Sequence, residues 1–338
     1  MSLCLRKPVY SHEPISSLSA LSRALRINEA ELLQLAAHAS ALYRAVKPKV
    51  GSDRKTFDAR GNLKAAHRSL QRAVLMRVVY PDYLHGSIKG RDYVTNARLH
   101  TGKQILICED VKKFFPSVNE ASVYDIWSGF FRFAPPVARL LTQLTLKDGA
   151  LPQGGIPSSY LANLVLWRHE PALHAKFEAM GITYSRYVDD IALSASRHLS
   201  KAEQKQAIGD VYGMLRRQGL TAGRGKHEIY TATKPMVATK LIVNRKPAQT
   251  KARRSAIRSA VFQLERAVAG NDGQQLTTMA DKASQRVGQL GRFHPVEAAK
   301  LRTRVASVRE LLGRQPPPTV ITGSSIDSTV GQYFPIQV

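Results

Sequence analysis

Apolar residues recur every three or four positions through the first part of the chain, which is the spacing of a helix with one buried face. Leucines follow this spacing between 16 and 46, so we predict helices there. Asn28 is placed to cap the second helix, with Glu31 three residues later as its capping-box partner. The same spacing predicts a helix over 63–79, which Pro81 would end.

Strand patterns appear where this spacing is interrupted. Residues 105–111 form a short apolar run with acidic residues near its end, which predicts a buried strand. Residues 183–196 alternate on both sides of a polar Val-Asp-Asp turn, which predicts a β-hairpin. Further strands are predicted around 227–232 and 237–243, and short strands on either side of a turn at 47–53.

Helical spacing returns between the strands and dominates the end of the chain. It predicts helices over 120–131, 135–147, 158–180, 201–218 and 251–313, the third of them capped by Ser158 or Ser159. Helices precede, interrupt and follow the strands, so the predicted fold class is α+β with a helical C-terminal domain. From Pro316 the composition turns to Ser, Thr and Gly, which is typical of a linker or docking tail.

The charge balance changes the picture of what this fold binds. Fifty Lys+Arg stand against 25 Asp+Glu, a net charge of +25. Such an excess favours an anionic partner, most often nucleic acid and less often a membrane surface. No apolar run approaches the roughly 18 residues of a membrane span, and the start of the chain lacks the apolar core of a secretory signal. Cys4 and Cys108 are too few for a disulfide framework or a zinc site, so we expect a cytoplasmic protein without a membrane partner.

Three carboxylates are the strongest candidates for chemistry. Asp110 closes the strand at 105–111, and Asp189 and Asp190 lie at the hairpin turn. A strand end that faces a hairpin tip brings such groups close together, and clustered carboxylates favour a hard cation such as Mg²⁺. Two Mg²⁺ ions would activate a 3′-hydroxyl and stabilise a pyrophosphate leaving group. The alternative is that Asp-Asp serves only as turn chemistry.

The residues around these carboxylates resemble the motifs of reverse transcriptases. Residues 187–190 read YVDD, which resembles the YxDD box, and 110–115 read DVKKFF, which resembles the first palm motif. Residues 151–159 read LPQGGIPSS, which resembles the LPQGxxxS loop and helix between them. All three occur in the order of the family, and the resemblance extends over about 40–313.

Two further segments bear on the subfamily. Asn96 to His100 reads NARLH, which resembles the NAxxH element of retron-type reverse transcriptases. The alternative for this pentapeptide is a loop between a helix and a strand. Retron enzymes carry VTG near the end of the palm, and here residues 237–240 read VATK before a preserved LIVN. Because that element is linked with recognition of a retron's own RNA, the departure leaves room for a related defence reverse transcriptase.

The resemblance implies a right-hand polymerase fold with fingers, a palm of antiparallel sheet plus helices, and a helical thumb. Its implied divisions are an N-terminal helical extension over 1–43, fingers over 44–104, a palm over 105–245 with inserted fingers helices at about 119–150, a thumb over 250–313 and a Pro-rich tail over 314–338.

The resemblance also implies roles in catalysis. Asp110 and Asp189 would ligate two Mg²⁺ ions, the backbone carbonyl of Val111 would be an extra ligand, and Asp190 would support the site electrostatically. Phe115 falls at the position of a steric gate that rejects the 2′-hydroxyl of an rNTP. The alternative is that Phe115 lies in the core, since one of Phe114 and Phe115 is expected to be a core residue.

Nucleotide binding is implied for five more residues, each with a structural alternative. Gln153 and Gly154 would contact the incoming nucleotide and the template, or form a plain turn. Arg54 and Lys55 would hold the triphosphate, or contact phosphate backbone or solvent. Lys226 would donate a proton to the pyrophosphate, or face solvent.

Nucleic-acid binding is predicted for two sets of residues. Basic side chains that recur over two turns of the thumb suit a duplex backbone, the alternative being a solvated face. Asn96 and His100 are predicted to bind nucleic acid as part of the retron element. The thumb set is Lys251, Arg253, Arg254 and Arg258.

The predicted function is therefore RNA-directed DNA synthesis. The implied partners are dNTPs, a structured noncoding RNA that serves as template and primer, its DNA product, and an effector protein of an anti-phage system. One alternative is a defence reverse transcriptase outside the retrons that makes repetitive or untemplated DNA. Another is a catalytically silent RNA-binding scaffold, which the retention of all three carboxylates argues against.

Overall fold

The structure is a computed structural model that describes residues 6–47, 54–269 and 276–312. The chain divides into two compact units. The first unit comprises residues 1–239 and 243–245, and the second comprises 240–242 and 246–338. The predicted tail at 314–338 and most of the predicted turn at 47–53 lie outside the described residues.

The first unit combines short strands with helices. Its strands are β1 (Val9–Tyr10), β2 (Tyr43–Val46), β3 (Thr56–Ala59), β4 (Val78–Val79), β5 (Leu84–His85), β6 (Ile105–Asp110), β7 (Ile182–Tyr187), β8 (Asp190–Ala195), β9 (Glu228–Thr231) and β10 (Val237–Ala238). Its helices are α1 (Leu18–Leu25), α2 (Glu29–Ala37), α3 (Gly61–Ala73), α4 (Tyr93–Leu99), α5 (Phe114–Ser117), α6 (Glu120–Asp125), α7 (Pro135–Thr145), α8 (Ser158–Leu164), α9 (Glu170–Ala179) and α10 (Lys201–Arg217). This mixture confirms the predicted α+β class.

A five-stranded sheet forms the centre of the first unit, in the order β5-β7-β8-β6-β9. Strand β5 is parallel to β7, whereas the β7–β8, β6–β8 and β6–β9 pairs are antiparallel. Ile105, Leu106 and Ile107 of β6 are all buried. Successive side chains of a strand point to opposite faces, so this strand is covered on both sides. The predicted buried strand and the predicted hairpin are confirmed.

The N-terminal helices differ in detail from their prediction. The Asn28 side chain caps α2 by accepting from the backbone N–H of Ala30 at 2.8 Å. Glu31 instead accepts from the side chain of Asn62, so the predicted capping box is absent from this helix. The predicted helical region ends before Tyr43, where β2 begins. Strand β2 pairs with β3 in antiparallel register.

The helix predicted over 158–180 is two helices, α8 and α9. Pro171 lies in the first turn of α9, where the missing N–H of proline costs nothing, but it could not continue a helix from α8. The predicted serine cap is also wrong. Helix α8 has no side-chain cap, and the hydroxyl of Ser158 is buried without a hydrogen-bond partner.

The second unit is largely helical. It contains β11 (Leu241–Ile242) and β12 (Ala248–Gln249), which pair in antiparallel register, and α11 (Lys251–Ala269), α12 (Leu276–Gly291) and α13 (Pro295–Leu311). The three helices share a core that includes Val261, Val287 and Leu301. The predicted thumb helices thus form a core of their own, and the finer division into fingers and palm remains a prediction. Among the described residues, no helix has both the length and the apolar character that crossing a membrane requires.

Candidate active site

The three predicted carboxylates meet at one end of the central sheet. Asp110 is the last residue of β6 and Asp190 is the first residue of β8, and the two lie directly opposite each other in the antiparallel register. Their Cβ atoms are therefore about 5 Å apart on the same face. The backbone carbonyl of Asp189 accepts from the N–H of Val111 at 3.1 Å, which holds the hairpin turn against the end of β6.

Burial raises the pKa of Asp189 above its ordinary value. A hydrogen bond from its own backbone N–H opposes this rise, the negative charge of Asp110 adds to it, and the positive charges of Lys226 and Arg54 oppose it. The carboxyl group is thus partly withdrawn from water and close to a second carboxylate. Such a group is stabilised in its ionised form by a nearby cation.

One cation of the protein already interacts with this cluster. The Lys226 ammonium donates to Oδ1 of Asp110 at 2.8 Å, although 59% of the Lys226 side chain is exposed. This hydrogen bond raises the pKa of Lys226, and the charges of Asp110, Asp189 and Asp190 add to the rise. The predicted proton donor therefore lies within the field of all three carboxylates.

The other oxygen of Asp110 faces a glycine that sequence reasoning missed. The Gly223 N–H donates to the backbone carbonyl of Asp110 at 2.6 Å. A Cβ atom at Gly223 would lie 2.7 Å from Oδ2 of Asp110, which is closer than real Cβ contacts. The backbone at Gly223 thus forms one wall around this carboxylate. Nothing in the spacing of the sequence indicates this, since Gly223 and Asp110 are far apart in the chain.

A second unpredicted group lies on the other face of β6. The Glu109 side chain is fully buried, and its carboxylate accepts from the Tyr212 hydroxyl at 3.0 Å. Nδ1 of His227 lies 2.6 Å from the other carboxylate oxygen of Glu109. Because His227 directly follows Lys226, this contact anchors the segment that carries the lysine.

The structure separates the two candidate gate residues. Phe114 is 2% exposed and belongs to the core, whereas Phe115 is half-buried. Both lie on α5, and their rings are 5.9 Å apart in an edge-to-face arrangement. Phe115 is therefore the one of the two with a surface left to meet a ligand.

The Gln153–Gly154 loop is held along β3. The carbonyl of Gln153 accepts from the N–H of Phe57 at 2.8 Å. Gly154 has a φ of +101°, and a Cβ there would lie 2.7 Å from the carbonyl oxygen of Phe57, so only glycine fits. Arg54 and Lys55 immediately precede β3. The chain thus brings this basic pair towards the loop, and the charge of Arg54 also reaches Asp189.

Asn96 and His100 are not placed to contact nucleic acid, which corrects their prediction. Both lie in the interior, 1% and 0% exposed respectively. The ring nitrogens of His100 lie 2.7 Å from the hydroxyl oxygens of Ser185 and Ser194, which belong to β7 and β8. The segment that resembles NAxxH therefore packs α4 against the β7–β8 hairpin.

This buried histidine predicts a loss of stability in acid. Burial, with the charges of Lys103 and His85, lowers the pKa of His100 to about 3 from 6.5. Below pH 6.5 the unfolded chain binds a proton that the folded chain excludes, so the stability present above pH 6.5 is lost as the pH falls. We expect a loss of about 2 kcal/mol from this group by pH 5. Urea unfolding at pH 7 and pH 5, followed by tryptophan fluorescence, measures it.

His100→Gln should shrink the difference between the two pH values, whatever its effect on stability at pH 7. The exposed His12 provides the matched control, and His12→Gln should leave the difference unchanged. An undiminished difference in His100→Gln would contradict the assignment. Both tryptophans, Trp127 and Trp167, lie in the first unit, so their fluorescence reports on the unit that contains His100.

The predicted cationic face of α11 is partly occupied within the second unit. Arg254 and Arg258 pair with Glu297 at 2.7 and 2.5 Å, and Arg253 donates to the Gln289 side chain at 3.2 Å. Lys251 is exposed. Binding of a duplex by this face remains a prediction, and it would require Arg254 and Arg258 to share or exchange their carboxylate partner.

The comparison with known proteins adds to this geometry. The family described as "Reverse transcriptase (RNA-dependent DNA polymerase)" matches residues 47–256. The Retron Se72 reverse transcriptase of Salmonella heidelberg (strain 579083-10) is 31% identical over 312 residues, which are 90% of this chain and 82% of that protein. This chain belongs to the retron-type reverse transcriptases. Membership confirms the predicted right-hand polymerase fold and the predicted activity, so the protein is an RNA-directed DNA polymerase.

Other relatives of this reverse transcriptase are more distant. The Retron Ec48 reverse transcriptase of Escherichia coli is 26% identical and covers 65% of this chain and 57% of its own. Among solved structures, telomerase from Candida albicans, in complex with a fragment of telomeric RNA, has a TM-score of 0.38 at 11% identity. That match covers 74% of this chain and 50% of the telomerase.

The site of this reverse transcriptase suits a metal held jointly with substrate. Among the described residues, no three His, Cys, Asp or Glu side chains form a ready-made metal cage. Mg²⁺ is commonly held by one or two carboxylates together with water and substrate phosphates, so a complete protein cage is not needed. The Lys226 ammonium on Asp110 shows that the cluster attracts a cation.

Proposed function

We propose that this reverse transcriptase joins nucleotides by two-metal catalysis at Asp110 and Asp189, with a structured noncoding RNA as template and primer, in a retron that serves anti-phage defence. The observation that carries the catalytic part is the register of β6 and β8, which sets Asp110 opposite Asp190 with Asp189 beside them. The retron part is supported by the similarity to the Retron Se72 reverse transcriptase.

The oxygens available in the site fit two Mg²⁺ ions. Asp110 and Asp189 would hold both ions, the Val111 carbonyl would add an oxygen, and Asp190 would contribute negative charge. When bound, such a pair of ions activates the 3′-hydroxyl of the primer and stabilises the pyrophosphate leaving group. All of these protein ligands are hard oxygens, which Mg²⁺ prefers.

The protein's own cations would act on the triphosphate. Lys226 would exchange Asp110 for the departing pyrophosphate and give it a proton, since the exposed side chain has room to move. Arg54 and Lys55 would offset the negative charge that develops on the phosphates. Gln153 and Gly154, held along β3, would contact the incoming dNTP and the template.

Two observations on the purified protein test this proposal. With Mg²⁺, a primed RNA template and labelled dNTPs, the protein should extend the primer. Nucleic acid that copurifies with the protein should be a discrete branched RNA–DNA hybrid if the chain serves a retron. Failure of any extension, in wild type as in carboxylate variants, would favour a silent RNA-binding scaffold.

A defence reverse transcriptase outside the retrons is the alternative that one feature favours. Lys240 has a φ of 68° and Thr239 a φ of 43°, in the left-handed region that glycine adopts most readily. Lys240 directly precedes the preserved LIVN, in the stretch where the Thr-Gly pair of VTG is missing, and it is exposed. A cation thus lies in the stretch that differs from an element linked with retron RNA. Long repetitive DNA in the copurifying material would support this alternative.

The steric gate gives a further prediction. Phe115→Ala should raise rNTP relative to dNTP incorporation by at least about tenfold, because removal of the ring would leave space for a 2′-hydroxyl. Single-nucleotide extension with each substrate measures the ratio. Phe130 is also half-buried and aromatic, so Phe130→Ala is the matched control and should leave the ratio unchanged. An unaltered ratio in Phe115→Ala would place the gate elsewhere.

A further inference from the structure

The hairpin turn that carries Asp189 has a strained backbone. Val188 has a φ of 59°, in the left-handed region. A β-branched residue is rarely found there, because its side chain crowds the backbone. Such a conformation persists only where the surroundings hold it, and it occurs most often at functional sites. Val188 is also buried, so contacts with the rest of the first unit are available to hold it.

The contact on one side of the turn comes from Arg186. Its guanidinium is 0% exposed, and its Nη1 donates to the backbone carbonyl of Val188 at 3.0 Å. The Nε and Nη2 atoms of Arg186 donate to the two carboxylate oxygens of Glu170 at 2.6 and 2.7 Å. The hydroxyl of Tyr184 donates to Glu170 at 2.6 Å, and Nη2 of Arg186 also reaches the carbonyl of Asn163 at 2.9 Å. The guanidinium therefore ties the turn to α8 and α9.

The other side of the turn rests on β5 and the residue after it. The N–H of Val188 points to the carbonyl of His85 at 3.4 Å. A Cβ atom at Gly86 would lie 2.6 Å from Cγ2 of Val188, so the glycine admits the valine side chain. The side chain of Asn163 donates to the carbonyl of Gly86 at 2.9 Å, which links this side to the contacts of Arg186. Both backbone polar groups of Val188 are thus engaged.

The buried ion pair is not explained by stability alone. Burying two charges costs several kcal/mol of desolvation, and well-packed apolar residues are often as stable or more so. What a guanidinium adds is a planar set of donors with fixed directions, which can bond a carboxylate and a backbone carbonyl at once. This geometry specifies where the Val188 carbonyl lies.

We propose that Arg186, oriented by Glu170, is a positioning residue that holds the left-handed Val188 turn and thereby sets Asp189 for binding of the metal ions. This inference rests on the proposed two-metal function of Asp189. Arg186 touches neither substrate nor the reacting atoms. It acts through the backbone that joins Val188 to Asp189.

The test combines Arg186→Lys with Val188→Gly. Lysine keeps the charge but lacks the planar set of donors that bonds Glu170 and Val188 in fixed directions. We therefore expect kcat to fall about tenfold, with the KM for dNTP unchanged and more Mg²⁺ needed for half-maximal rate. Glycine adopts a positive φ without strain, so Val188→Gly should restore part of the lost kcat in the Arg186→Lys background. If Arg186→Lys lowered kcat only by destabilising the fold, Val188→Gly would lower kcat further, because it removes a buried side chain.

A measurement without turnover accompanies the kinetics. Mg²⁺ alone should raise the melting temperature of the wild type, because a ligand of the folded state stabilises it. Arg186→Lys should show a smaller rise, and the double variant a larger rise than Arg186→Lys. Arg168 forms an exposed pair with Asp125, so Arg168→Lys is the matched control and should resemble wild type in both measurements.

Two outcomes would contradict the inference. Wild-type kinetics and Mg²⁺ response in Arg186→Lys would overturn it, as would a double variant without recovery. If Arg186→Lys does not fold, Tyr184→Phe takes its place, alone and together with Val188→Gly. This substitution is milder, because it removes only the hydrogen bond from Tyr184 to Glu170. Full activity in Asp189→Asn would instead refute the proposed two-metal function, so the two failures are distinguishable.

Discussion

Asp189→Asn is expected to lower kcat for RNA-templated DNA synthesis by at least about a thousand-fold, because metal-ion catalysis supplies several kcal/mol of transition-state stabilisation. Asparagine keeps the size of the side chain but removes the negative charge that would hold the ions. Asp110→Asn should have an effect of the same order, since Asp110 and Asp189 would ligate the same pair of ions. Extension of a primed RNA template with labelled dNTPs and Mg²⁺ measures both.

Comparing kcat of the two aspartate variants with that of the wild type requires that the variants fold and bind RNA. Asn at 189 removes the repulsion between that residue and Asp110, so the melting temperature without Mg²⁺ should not fall. Glu13 is an exposed carboxylate, and Glu13→Gln should retain full activity as the matched control. Wild-type extension by Asp189→Asn would show that the carboxylate at the hairpin tip is dispensable.

Gly223→Ala is expected to lower kcat about a hundredfold, because a misplacement of catalytic groups by about 1 Å has effects of this size. The new methyl group would lie 2.7 Å from Oδ2 of Asp110, so the carboxylate must move. The change introduces no charge, and the carboxylate is the flexible end of its side chain. Most of the effect should therefore appear in catalysis, measured as kcat at saturating dNTP, and little in the melting temperature.

Gly225 provides a control two residues away. A Cβ atom there would meet nothing within 4 Å, and the residue does not have a positive φ. Gly225→Ala should therefore keep wild-type kcat. Equal activity of the two alanine variants would show that Asp110 tolerates displacement, and equal losses would point to the flexibility of the 223–226 segment instead.

Local patterns predicted the elements that carry the chemistry. The apolar run of β6 and the alternation of β7 and β8 are properties of consecutive residues, and their acidic ends could be read at the same time. The capping of α2 by Asn28 is equally local. Short-range sequence patterns succeed here because side-chain direction repeats with the period of the element.

Local patterns could not show which polar side chains a distant partner already engages. Asn96 and His100 look like polar residues available to a ligand, yet serine hydroxyls from β7 and β8 satisfy His100 inside the protein. The basic repeat of α11 looks like a free cationic face, yet Glu297 of α13 pairs with two of its arginines. Neither partner is near in the chain, so no periodicity could indicate it.

The order of amino acids was sufficient to indicate a basic, mixed α and β reverse transcriptase with its acidic residues at a strand end and a hairpin tip. Folding supplied the rest: the pairing of Asp110 with Asp190, the close approach of Gly223, and the Arg186–Glu170 pair behind Val188. Periodicity and motifs depend on neighbours along the chain. The position of a carboxylate to within an ångström depends on packing between segments far apart in the chain, which is decided only when the whole core closes.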